Sequence, residues 1–418
     1  MELHVAERVV VTGIGVVSPN GIGIQNFSDA LKNGTSGVKP ITGFDTSRLK
    51  TRFAAAAGDF DPRQHMDDRD LRRVSRTVPL AVAAARQAMT MAGFDCPIAD
   101  CSVARRIGMV LGTGGGGLEF VESQYRIFFN QGKFSPFAVP GGTHGNLSSE
   151  LSIALGLRGL SHVITNGCAS STDAIGYACM HVRAGALPMM LVGGADAPIT
   201  EGIMAGFESM KILASARDPV SRSSRPFHAD RDGFVLGEGA WMLLIENAAH
   251  AKARGAQAMA EICGWGSTCD AYHRVQPAPD CTESARAIAM AIEQAGITPD
   301  DIEYVNLHGT GTPLNDTLET QAMKLAFGAR AAHIPMSSLK SMIGHPQGAC
   351  GAAGVVATIL SLRAGFLHPT INLDRPDPRC DLDYIPEVSR PTNAQWALCN
   401  CIAFGSKNSA LVLRVASA

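Results

Sequence analysis

The sequence predicts an α/β protein built from two similar halves. Three observations carry this. Short β-type runs alternate with Ala-rich helical segments along the chain. Glycine accounts for 44 of 418 residues, and many glycines directly follow the β-type runs, where tight turns or close helix–strand packing need them. Residues 107–114, "IGMVLGTG", are echoed by residues 303–311, "EYVNLHGTG", each running a strand into Gly-Thr-Gly.

Taken in order, strands are expected at residues 9–12, 107–111, 163–165, 189–192, 241–245, 302–307 and 397–403. Helices are expected at residues 77–92, 284–294 and 351–362. The longest chargeless stretch, residues 348–362, "GACGAAGVVATILSL", is shorter than the ~20 residues that span a bilayer. A helix buried on all sides fits it better. Residues 164–168 and 338–345 each lead from an extended run through a reactive residue into a small-residue helix, and 191–194 matches 399–405 as a later strand. The halves are expected at 1–255 and 256–418. No Pro- or Ser-rich linker separates them, so they should pack as one body.

Acids (38) and bases (36) nearly cancel, which argues against bulk nucleic-acid binding and leaves any charged partner to a local patch. The start, "MELHVAERVVVTGIG", lacks a basic segment followed by a long apolar one, so neither a secretory signal nor a membrane anchor is expected. Eleven cysteines occur without a CxxC pair; an odd count and no secretory signal suggest reduced thiols in the cytoplasm. No metal site is expected.

Four stretches carry candidate chemistry. In "ITNGCASSTDAIGYA" (164–178) Cys168 sits between a short strand and a helix expected to begin at the cysteine itself. Free N–H groups and the positive end of the helix dipole would lower its pKa, and small neighbours would leave room for a substrate. A buried structural Cys is the alternative. In "NLHGTGTPLND" (306–316) His308 follows a strand and precedes a Gly/Thr loop; it could equally be structural. "SSLKSMIGHPQGACGAAG" (337–354) places Lys340 and His345 before the apolar helix, an unusual setting because a buried imidazole needs partners. "IAFGSKNSAL" (402–411) is a Gly-containing turn, taken alone an ordinary one. Together they supply a thiol, two imidazoles, a lysine and spare backbone N–H groups, a set suited to acyl chemistry on thioesters.

On these residues the whole chain resembles the β-ketoacyl-[acyl-carrier-protein] synthases, the condensing enzymes of the thiolase superfamily. The Cys turn, HGTxT (308–312), K-S-x-x-G-H (340–345) and the C-terminal loop occur in the family's order. "RPFHADRDGFVLGEGA" (225–240) and "VVVTGIGVVSPNG" (9–21) are further matches. The resemblance implies a thiolase-like fold, two duplicated halves in a five-layer αβαβα arrangement. It implies that Cys168 carries the acyl chain, that His308 and His345 drive malonyl decarboxylation, and that Lys340 supports them, paired with Glu319. Thr310 and Thr312 would hold the phosphopantetheine arm of an acyl carrier protein, with Phe207 and Glu319 also placed at the substrate. The N–H groups of Cys168 and Phe404 would form the oxyanion hole, and Phe404 would be a gate. No tightly bound cofactor is implied. A Cys-His-His set implies elongation of a carrier-bound chain. A non-catalytic length-setting or scaffold subunit and a Cys-dependent hydrolase are the competing readings.

The last loop departs from the family's GFGGTN. Ala403 and Ser406 stand for glycines, Lys407 for a threonine, and Ile402 for the preceding phenylalanine. Added Cβ atoms are expected to strain the loop and direct Lys407 to an acidic partner. Residues 193–200 and 377–386 look like the ketosynthase subunit of type II polyketide systems, implying a homodimer or a heterodimer with a chain-length-factor-like subunit. Carrier-protein docking is expected on "RDLRRVSR" (69–76), through Arg69, Arg72, Arg73 and Arg76, with Lys211 beside it.

Overall fold

The computed structural model describes residues 7–405 and 407–415. Ser406 therefore lies outside the described residues. Ten strands form one continuous path. The first five are β1 (Val9–Ser18), β2 (Ile107–Gly112), β3 (Ser161–Ile164), β4 (Met189–Asp196) and β5 (Gly239–Asn247). The second five are β6 (Ala260–Cys269), β7 (Tyr304–Asn306), β8 (Met336–Ser337), β9 (Trp396–Ala403) and β10 (Lys407–Val415). The spatial order is β8-β7-β9-β10-β6-β1-β5-β4-β2-β3. Read outward from the centre, each set runs first, fifth, fourth, second, third. In both sets the second strand is parallel to the third and fourth, and the remaining pairs are antiparallel. Among the described residues the two sets of strands pair only where Val9–Val11 of β1 run antiparallel to Ala260–Ile262 of β6.

Five helices make the layers: α1 (Thr77–Met91), α2 (Ser170–Arg183), α3 (Thr282–Ala295), α4 (Pro313–Phe327) and α5 (Cys350–Arg363). Helix α1 covers β1 and β5 from one outer side, and α3, backed by α4, covers β6 and β10 from the other. Between the sheet halves, α2 touches β2 and β4 on one side and β6 and β10 on the other, while α5 packs on α2, β4, β5 and β9. This is the expected αβαβα sandwich. Cys350 through Leu362 are all buried, as the apolar 348–362 stretch required. Among the described residues no helix is long and apolar enough to cross a membrane.

The two sets share one packing device. A Cβ on Gly15 of β1 would stand 1.8 Å from the Ala84 carbonyl oxygen of α1, and one on Gly266 of β6 would stand 2.1 Å from the Ala287 carbonyl oxygen of α3. Helix backbone lies directly on strand backbone at both places, and no side chain fits between. Gly15→Ala is therefore expected to destabilise the fold by about 2 kcal/mol or more, since backbone has to shift rather than a side-chain tip. A drop of several degrees in the thermal midpoint checks it; an unchanged midpoint would show that α1 can lift away freely.

Candidate active site

Cys168 follows the Asn166–Gly167 turn after β3. Gly167 has φ +76, a value that suits glycine. Helix α2 begins two residues after the cysteine, at Ser170 with Ala169 as its N-cap, not at Cys168. Ser170 Oγ donates to the Gly167 carbonyl and accepts the Asn166 N–H at 3.0 Å, so the turn is locked. The thiol is 5 % exposed at the floor of a cavity of about 490 Å³. His308, His345, Thr310, Thr312, Phe404, Phe234, Met210, Ile212 and Leu314 also line that cavity. Cys168 Sγ and a nitrogen of each of His308 and His345 lie within 4.8 Å of one another.

Burial pushes the Cys168 thiol up to about 12, outweighing the neighbouring Lys340 charge and a hydrogen bond from the Phe404 N–H, which both pull it down. This corrects the expectation of a lowered pKa: desolvation of a sulfur at the bottom of an apolar cavity exceeds what one helix terminus returns.

Both imidazoles are held well below the ordinary histidine value, first by burial and then by Lys340, with His345 adding to the effect on His308. They are neutral. His345 Nδ1 accepts the Gln347 N–H at 3.1 Å, and His308 Nδ1 faces Lys340 Nζ at 3.3 Å. A donor at each Nδ1 puts the ring proton on Nε2, so each ring offers one N–H donor. The rings stand edge to face, with centroids 5.3 Å apart. Lys340 begins the short helix Lys340–Ile343 and reaches back to donate to the His308 carbonyl at 2.6 Å.

Lys340 does not pair with Glu319. That carboxylate is fully buried and accepts the His308 N–H, the Gly309 N–H and the Asn400 amide, each at 2.7 Å. It shapes the loop that carries His308 and does not line the cavity. Asp316 does the same for the next turn, accepting the N–H groups of Thr310 and Gly311. Arg231, from the 225–240 motif, holds the Thr312 and Pro313 carbonyls and Asp377. Thr310 and Thr312 thus reach the cavity with their hydroxyls 2.9 Å apart. Phe207 packs edge to face on Phe234, which packs the same way on His345, so Phe207 stands one side chain back from the site. Phe234 went unnoticed in the sequence, although it sits inside the "RDGF" quoted from residues 231–234.

Strands β9 and β10 pair antiparallel, with Ala403 opposite Lys407. Among the described residues of the loop, Gly405 has a positive φ, at +83. Ala403 is a strand residue with ordinary φ, so its Cβ brings none of the expected strain. Among the described residues Lys407 makes no ion pair with an acid, contrary to expectation. Of the docking arginines, Arg69 and Arg72 are exposed. Arg73 is held by Asp70 and lies over the Phe137 ring. Arg76 pairs with the buried Glu238 at 2.7 Å and is only partly exposed. Lys211 is exposed, between the cavity residues Met210 and Ile212.

Known proteins match this architecture throughout. Residues 6–251 match the model for the β-ketoacyl synthase N-terminal domain, and residues 259–374 that for its C-terminal domain. The chain belongs to the β-ketoacyl synthase family. It is 40% identical to the 3-oxoacyl-[acyl-carrier-protein] synthase 2 of Synechocystis and 39% identical to that of Staphylococcus aureus, over 98% of each chain in both cases. Among solved structures it superimposes on the ishigamide ketosynthase/chain length factor with TM-score 0.91 at 32% identity, covering 99% of this chain and 100% of that one. A β-ketoacyl synthase from Burkholderia phymatum gives 0.90 at 34% identity, covering 98% and 100%. A type II polyketide ketosynthase, solved with its acyl-carrier protein and bound to the hexaketide, gives 0.89 at 32%, covering 98% and 100%. As a β-ketoacyl synthase, the chain is an acyltransferase that catalyses condensation in fatty-acid or polyketide synthesis.

Proposed function

We propose that the acyl group is carried on Cys168 and that His308 and His345 act on the malonyl half of the reaction. The observation that carries this is the thiol and the two neutral imidazoles within 4.8 Å on one cavity wall. In the first half, sulfur attacks the thioester carbonyl of an acyl chain on a carrier protein's phosphopantetheine arm. The carbonyl oxygen is met by the N–H groups of Cys168 and Phe404, the arm's thiol leaves, and the cysteine's proton goes to it. In the second half, the malonyl C–CO2⁻ bond breaks and the electron pair moves onto the thioester oxygen between the two Nε2–H donors. The resulting carbon attacks the acyl-cysteine, and the sulfur is released and reprotonated. Lys340 fixes the donor tautomer of His308, and Thr310 and Thr312 hold the arm. Phe404, on the hairpin turn, gates the cavity. Mass spectrometry of the protein incubated with acyl-carrier protein tests the reading: one acyl adduct, on the peptide containing Cys168, is expected. An adduct on another cysteine would overturn it.

The same proposal divides the chain into halves 1–255 and 256–418 and places it in the cytoplasm as a dimer. The partner is a second copy or a homologous chain-length-factor-like subunit. Exposed Tyr125, Phe128, Phe129 and Phe134 form a contiguous aromatic cluster, with the Phe128 and Phe134 rings stacked at 4.6 Å, a surface that favours a protein partner. The acidic carrier protein docks through Arg72, Arg69 and Lys211, with Arg73 contributing less because Asp70 already holds it. Arg72→Glu with Arg73→Glu is expected to raise the KM for carrier-bound substrate several-fold and to flatten its salt dependence, leaving kcat near wild type. Unchanged kinetics would move docking elsewhere.

A further inference from the structure

Behind Cys168 lie two thiols that the reaction does not use, beside His308, which it does. Cys350 opens α5 and Cys401 lies on β9, both buried. Their sulfurs are 3.6 Å apart, and Cys401 Sγ is 3.5 Å from His308 Nδ1. Both thiols point at the Cys168 carbonyl oxygen, at 3.2 and 3.1 Å. The His308 nitrogen and the two sulfurs all lie within 4.8 Å of one another.

These spacings have a chemical meaning. A tetrahedral ion with metal–sulfur bonds of about 2.3 Å and metal–nitrogen bonds of about 2.0–2.1 Å separates two sulfurs by about 3.8 Å and a sulfur from a nitrogen by about 3.6 Å. The Cys350–Cys401 and Cys401–His308 contacts, at 3.6 and 3.5 Å, are within a few tenths of an ångström of those edges. Two thiolates and one imidazole are a soft donor set, suited to zinc-class ions and not to magnesium or calcium.

We propose that His308, Cys350 and Cys401 form a binding site for a thiophilic divalent cation of the Zn²⁺ class, with the Cys168 carbonyl oxygen facing its fourth position. Binding removes one proton from each thiol to solvent, and the two thiolates balance the ion's charge. The ion takes the place of Lys340 Nζ at His308 Nδ1, while Lys340 keeps its bond to the His308 carbonyl. The ring proton stays on Nε2, the same tautomer that Lys340 selects.

The probe is Co²⁺ alone, titrated without oxygen into the reduced, chelator-stripped full-length protein. One equivalent is expected to produce the visible envelope of tetrahedral Co²⁺ with a sulfur-to-metal charge-transfer band, and Zn²⁺ is expected to bleach both. Cys350→Ala and Cys401→Ala should each abolish the charge-transfer band or weaken binding by at least tenfold. Cys350→Ser and Cys401→Ser, which keep the side-chain volume, should do the same with an unchanged far-ultraviolet circular dichroism spectrum. Cys168→Ala should retain the spectrum, which separates this site from the cavity triad of Cys168, His308 and His345. The proposal is overturned if no saturable one-equivalent spectrum forms, or if the spectrum survives loss of Cys350 and Cys401. It is equally overturned if Cys168→Ala abolishes the spectrum.

Discussion

Cys168→Ala removes acyl transfer and condensation, with condensation falling by a factor on the order of 10⁴ or more, the scale of losing a covalent nucleophile. Release of CO2 from malonyl-carrier protein continues in the same variant. The split follows from the geometry. Decarboxylation needs the two Nε2–H donors, and neither histidine is oriented by the sulfur: Gln347 holds one ring and Lys340 the other. Cys168→Ser is expected to be a poor replacement, because a hydroxyl in the same buried position holds its proton more tightly than a thiol does. Radiolabelled or mass-tagged acyl transfer, read beside CO2 release, checks both halves. A Cys168→Ala protein that still condensed would remove the sulfur from the reaction.

His308→Ala and His345→Ala should each give the opposite pattern. The protein still takes an acyl group, since acylation depends on the thiol and on backbone N–H groups, while decarboxylation and condensation fall by about 10²–10⁴-fold. Loss of either imidazole leaves the enolate oxygen with a single histidine donor. Acylated variants releasing CO2 at the normal rate would contradict the assignment. Lys340→Ala should resemble His308→Ala more than His345→Ala, because Lys340 Nζ contacts the His308 ring and carbonyl.

The residues that line the cavity around Cys168 and seven of the ten strands were readable because the signals are local: a motif, a strand, a following glycine. Elements lacking a local signal were missed. Strand β6 reads "AEICGWGSTC", broken by Gly264 and Gly266, which look like turn residues but are there because the carbonyls of Ala291 and Ala287 on α3 press against them. Strand β10 was absorbed into the loop motif that precedes it. The Cys168 pKa reversed because desolvation depends on what the whole chain places overhead, which a helix-terminus argument cannot count. Glu319 was assigned to Lys340 by charge, yet three N–H donors had already claimed its oxygens. Cys350 and Cys401 are 51 positions apart and share no motif, so only the packing of α5 against β9 brings them together.

The position of β10 bears on when the site is assembled. It is the last strand among the described residues, yet it is inserted between β9 and β6, where it pairs with both. A ribosome therefore delivers Cys168 long before the histidines, and delivers the histidines before the strand that closes the sheet around them. Throughout synthesis the nucleophile is an isolated thiol without its donors or its hairpin. Removing β10 is therefore expected to silence the site by opening the sheet between β9 and β6, although Cys168, His308 and His345 are all still present.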